Sequence, residues 1–133
     1  MDPASRSIRI LLVEDNPDDE FLLREALDGL GVQGEIVLAS DAERARALVG
    51  AGGPGTIDPL PDVILLDLNL PRGSGRDVLR AIRANRGLDG IPIAVVSSSI
   101  SEADRNDATF LGADRYLVKP SSLEELEAYG RAI

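Results

Sequence analysis

Three short stretches of the chain are almost unbroken apolar: Ile8-Arg9-Ile10-Leu11-Leu12-Val13, Asp62-Val63-Ile64-Leu65-Leu66 and Ile91-Pro92-Ile93-Ala94-Val95-Val96. Such runs, rich in β-branched residues and too short for a helix, suit strands covered on both faces of a parallel sheet. Gly34 to Ala39 and Arg115 to Val118 show the same pattern with less contrast and predict two further strands. The segments between them change to helical spacing. Asn16-Pro17-Asp18-Asp19 supplies a cap, a proline for the first helical position and acids for the first turn, and Leu23, Leu27 and Leu30 follow on one face. Ser40-Asp41-Ala42-Glu43, Ser74-Gly75-Arg76-Asp77, Ser101-Glu102-Ala103-Asp104 and Ser122-Leu123-Glu124-Glu125 resemble capping boxes, each opening an amphipathic segment. The last of these carries Leu123, Leu126 and Ile133.

The order is strand then helix, five times over. That alternation predicts an α/β fold, doubly wound, with a parallel sheet between helices on both faces. Ligands of such sheets bind outside the carboxyl ends of the strands. Gly50 to Pro61 is a loop rich in Gly and Pro, and Gly87 to Gly90 is a shorter one. No repeat and no interdomain linker is visible, so one domain over residues 1–133 is expected, ordered from about residue 8.

Composition narrows the chemistry. The 133 residues are 44% apolar, enough for a core, but only Phe21, Phe110, Tyr116 and Tyr129 are aromatic. There is no Cys and no His, which removes disulfides, thiolate metal sites and any His-based nucleophile relay, and fits a reducing compartment. A formal charge of −9 argues against a nucleic-acid partner. No stretch reaches the roughly 20 apolar residues of a membrane span, so a soluble cytoplasmic protein is expected.

The strand ends carry the reactive groups: Val13-Glu14-Asp15, Leu66-Asp67-Leu68-Asn69-Leu70-Pro71, Val96-Ser97-Ser98 and Val118-Lys119-Pro120. In a parallel sheet with these strands adjacent, three carboxylates, a hydroxyl and an ammonium converge. Carboxylates so close repel one another, and a hard divalent cation relieves this; Mg²⁺ takes a few carboxylate oxygens and leaves positions for a phosphate. Lys119 and Ser97 suit phosphate oxygens. Asp67, after the central strand, is placed as a nucleophile able to form an aspartyl phosphate.

Glu14-Asp15, Asp67, Ser97 and Lys119-Pro120, in this order and spacing, resemble the defining set of response-regulator receiver domains of the CheY-like superfamily, over nearly the whole chain from Ile8 to Ile133. The resemblance implies a flavodoxin-like sheet of strand order 2-1-3-4-5 with five helices. It implies phosphorylation of Asp67 by a sensor histidine kinase in a two-component system. Mg²⁺ would be held by Glu14, Asp15, Asp67 and the backbone carbonyl of Asn69, with Mn²⁺ or Ca²⁺ able to substitute. It implies that Ser97 bonds the phosphoryl group, that Tyr116 is the aromatic switch, and that the bond before Pro120 has conformational importance. Catalysis would be limited to the protein's own phosphorylation and dephosphorylation. The long loop before the third strand and Gly87-Leu88-Asp89-Gly90-Ile91-Pro92 resemble single-domain, stand-alone receivers associated with phytochrome-type kinases, which implies a bacteriophytochrome as the candidate kinase. Family analogy admits a homodimer through the last strand and helix.

Two other readings compete. A phosphatase of the haloacid-dehalogenase type also uses Asp and Mg²⁺, but wants an acid two residues after the nucleophile, where this chain has Asn69. A degenerate receiver that only binds a partner would lack pocket residues. Asp18, Asp19 and Glu20 are expected to serve the helix start and solubility, and Ser98 and Ser99 to be ordinary loop residues, with Ser99 near enough to the pocket mouth to tune hydrolysis.

Overall fold

The computed structural model describes residues 7–29, 34–50, 56–70 and 73–119. Five strands, β1 (Ile8–Val13), β2 (Gly34–Ala39), β3 (Val63–Asp67), β4 (Ile93–Ser97) and β5 (Arg115–Val118), alternate with helices α1 (Pro17–Gly29), α2 (Ala42–Val49), α3 (Gly75–Ala84) and α4 (Glu102–Phe110). The sheet is parallel throughout, with order β2-β1-β3-β4-β5. The fifth helix expected from Ser122, together with Leu30 and Pro120, lies outside the described residues.

Strand bounds differ slightly from expectation. β3 starts at Val63 rather than Asp62 and takes in Asp67. Asp62 is spent on Arg9, whose backbone NH donates to the Asp62 carboxylate at 2.8 Å while Asp62 NH donates to Arg9 O at 2.7 Å. β4 starts at Ile93 rather than Ile91 and takes in Ser97. Ile91 NH closes a turn onto Leu88 O, and Pro92 has no NH to give to the ladder. The cap of α2 is Asp41 rather than Ser40, because the Asp41 carboxylate accepts from Arg44 NH at 2.7 Å. Ser74 and Ser101 cap α3 and α4 as expected, accepting from Asp77 NH and Asp104 NH. Asn16 Oδ1 accepts from Asp18 NH at 2.9 Å, with Pro17 in the first helical position.

The near-continuous apolar runs resolve into two cores by alternation along each strand. Leu11, Val13, Ile64, Leu66, Ile93 and Val95 pack with α2 and α3. Ile10, Leu12, Leu65, Ala94 and Val96 pack with Leu23, Ala26 and Leu27 of α1. Both faces of the central strands are therefore dry, which is why their sequences show no polar alternation.

Candidate functional site

The same alternation decides which side chains meet at the carboxyl edge. Asp67 stands in register with Val96 and continues the Val63, Leu65 set. Glu14 follows Leu12 by two residues, and Lys119 follows Leu117 by two. All three emerge on the face that α1 covers. Ser97 and Tyr116 fall on the other parity, with Ile93 and Val95.

Glu14 and Asp67 are each only 5% exposed, and buried carboxylates need partners. Lys119 supplies the principal one. Its Nζ lies 2.7 Å from Asp19 Oδ2, 3.0 Å from Asp67 Oδ2 and 3.1 Å from Glu14 Oε2, so three donors meet three carboxylates. The lysine is fixed at its base as well, its backbone NH donating to Ser97 O at 2.9 Å. The second oxygens are also engaged: Asp67 Oδ1 accepts from Asn69 NH at 3.0 Å and Glu14 Oε1 from Asn16 NH at 3.1 Å.

Burial, and then the charge of Asp67, push the Glu14 carboxyl up to about 7, against the hydrogen bonds from Asn16 and Lys119 that favour its ionised form. Burial alone would lower Lys119, but its bonds to Asp19 and Asp67, with the charge of Asp67 and the contact to Glu14, hold it above the ordinary lysine range. The ammonium is thus locked in its charged form.

Carboxylate oxygens of Glu14, Asp15 and Asp67 lie within 4.8 Å of one another. Asp15 is exposed and faces a cleft of about 730 Å³ that Asn69, Ser98, Ile100 and Lys119 also line. An all-oxygen donor set open to water on one side fits a hard divalent cation that keeps part of its hydration shell.

Glu14, Asp15, Asp67, Asn69 and Lys119 thus meet around one cleft, as the sequence leads one to expect. Ser97 is 1% exposed, and its Oγ accepts from Ser99 NH at 3.1 Å. Ser98 lies in the loop after β4, as expected, and lines the cleft. Ser99 holds the loop together. Its Oγ donates to Asp104 Oδ2 at 2.6 Å and accepts from Ser101 NH at 3.1 Å, and its carbonyl accepts from the Tyr116 hydroxyl at 2.9 Å. The Tyr116 ring is half-buried, with the Arg105 guanidinium 5.2 Å from its centroid. Asp19 is the residue that sequence reasoning assigned elsewhere. Far from serving only the helix start, it makes the shortest contact to Lys119, 100 positions away. Only its place in the first turn of a helix that begins beside a strand end hinted at this.

The family described as "Response regulator receiver domain" matches residues 10–130. Among curated proteins, the chain is 38% identical over 117 residues to "Response regulator Rcp1" of Synechocystis sp. (strain ATCC 27184 / PCC 6803 / Kazusa), covering 88% of this chain and 80% of the relative. Among solved structures it is similar to the phosphorylated cyanobacterial phytochrome response regulator RcpA, with TM-score 0.84 and 37% identity over 96% of this chain and 91% of the other. It is also similar to the Mn(2+)-bound form of response regulator Rcp1, with TM-score 0.82 and 36% identity over 95% of this chain and 91% of the other.

Proposed function

The chain belongs to the response regulator receiver family, and on that premise we propose that it is a two-component switch in which Asp67 accepts a phosphoryl group from a sensor histidine kinase. The observation that carries the reading is the clustering of Glu14, Asp15, Asp67 and Lys119 at the carboxyl edge of the sheet. A carboxylate oxygen of Asp67 attacks phosphorus, a P–O bond forms, and the P–N bond to the donor imidazole breaks. Glu14, Asp15 and Asp67, with the backbone carbonyl of Asn69, are the groups that would hold Mg²⁺ or a similar ion. When bound, that ion neutralises charge on the phosphoryl oxygens. Lys119 offers its ammonium to another of those oxygens, and its fixed position costs little reorganisation.

Ser97 is the group for a further oxygen. Drawing its hydroxyl toward the cleft moves the loop whose next anchor is Ser99, and Ser99 holds the Tyr116 hydroxyl. That chain of bonds is the route by which phosphorylation biases the α4–β5 surface. Likeness to a phytochrome response regulator supports a phytochrome-type kinase as the partner, and the cytoplasm is the proposed place of encounter. Among the described residues no helix is long and apolar enough to cross a membrane. Family membership sets aside the phosphatase alternative, and the assembled cleft gives no support to a degenerate receiver.

Incubation with Mg²⁺ and acetyl phosphate should add one phosphate by intact mass, and Asp67→Asn should abolish it. Absence of an adduct from acetyl phosphate, together with no spectral response to beryllofluoride, would overturn the assignment.

A further inference from the structure

Among the described residues Lys119 has three acceptors, and two of them, Glu14 and Asp67, belong to the trio of carboxylates able to hold a cation. Asp19 is the acceptor outside that trio, and it makes the shortest contact. We propose that Asp19 is a positioning residue that keeps Lys119 seated at the cleft when a divalent cation engages Glu14 and Asp67, an inference that rests on the site reading above.

The argument is one of charge and freedom. A cation drawn among Glu14, Asp15 and Asp67 takes over two of the charges that hold the ammonium, and repels it. A lysine stem is flexible and loses side-chain entropy when fixed, so an ammonium deprived of its partners would leave the cleft. Asp19 is a rigid alternative. It stands in the first turn of α1, where the helix N-terminus favours a carboxylate, and α1 is pinned to the sheet through Leu23 and Leu27. Its two acidic neighbours do other things: Asp18 is exposed, and Glu20 pairs with Arg24 at 2.8 Å. Of the three first-turn acids, Asp19 is the one turned to the lysine. Without it, the ammonium of the cation-free protein rests on Glu14 and Asp67, and a cation must displace it from them in order to bind.

A double-mutant cycle separates this from plain charge and from a helix-start role. Mg²⁺ is titrated calorimetrically into wild type, Asp19→Asn, Lys119→Met and the double variant. Asp19→Asn should weaken Mg²⁺ binding about fivefold, but less than about twofold when Lys119 is already Met. Asp19→Glu should restore most of the loss. Asp19→Ser, which suits a first helical turn, should behave as Asp19→Asn does and guards against a folding defect in the latter. Equal losses in both lysine backgrounds would mean through-space charge alone, and a fall in melting temperature with unchanged affinity would mean a helix-start role. Either result overturns the proposal. The titration needs no phosphodonor, so failure of Asp67 to accept phosphate leaves it standing. Failure of the wild type to bind Mg²⁺ overturns the site reading, and Asp19 with it.

Discussion

At the residue scale, the cleft depends on a position with no side chain. Gly75 opens α3, and its NH donates to Leu68 O at 2.9 Å, closing the loop that carries Asn69. A Cβ there would lie 2.3 Å from Asp67 O and 2.5 Å from Leu68 Cα, both backbone atoms that cannot swing aside. Gly75→Ala should therefore displace the end of β3. The expected cost is about 1–3 kcal/mol in urea unfolding, as for overpacked cores, with a parallel loss of Mg²⁺ affinity. Unchanged stability and affinity would show that the loop accommodates the methyl group. Ser97 teaches a related lesson. Its place at the end of β4 is plain from the sequence, but its parity is opposite to that of Asp67, and that shows only when the strand register is known.

At the element scale, the helices are held unequally. α3 buries Val78, Leu79 and Ile82. Its Arg83 reaches across to Gly112 O at 2.7 Å and Asp114 at 3.1 Å, at a turn where Gly112 has φ of 109°. In α4 only Ala108 is buried, while Phe110 is 87% exposed, and so much of its attachment is polar. Arg76 of α3 supplies much of that, with Nε 2.8 Å from Asp107 and NH2 3.2 Å from Asp104, the residue that also holds Ser99. Charge-assisted pairs that are half-exposed contribute about 1 kcal/mol. Arg76→Ala should lower stability by about that much, and should speed amide exchange in α4 more than in α3. Equal acceleration in both helices would show that the pairs do not anchor α4 specifically.

At the scale of the whole molecule, one buried carboxyl links stability, acidity and metal. The Glu14 pKa rises from 4.5 to about 7 on folding. Between those values the folded protein holds a proton that the unfolded chain has released, so this group's contribution to stability falls as pH rises through the window. A cation requires the ionised form, so its stabilising effect grows over the same window. Mg²⁺ affinity should fall by up to about tenfold per pH unit below 7. The rise in melting temperature caused by Mg²⁺ should accordingly be larger near about pH 8 than near about pH 6. Glu14→Gln should flatten that difference, and a Mg²⁺ shift independent of pH in the wild type would show that Glu14 does not titrate against the cation.

The sequence determined the alternation of strands and helices, most of the caps, and a reactive set at the strand ends, because these follow from local periodicity, turn chemistry and residue type. It also determined that Asp67 and Lys119 would converge, since parallel strands share a carboxyl edge. Tertiary structure decided the rest. Strand register set Asp67, Glu14 and Lys119 on the α1 face and Ser97 on the other, and hydrogen-bond competition moved the α2 cap from Ser40 to Asp41. The docking of α1 turned Asp19 from an acid at a helix start into the nearest partner of Lys119. Contacts between residues 100 positions apart leave no local pattern, because they depend on how packed faces bring chain segments together.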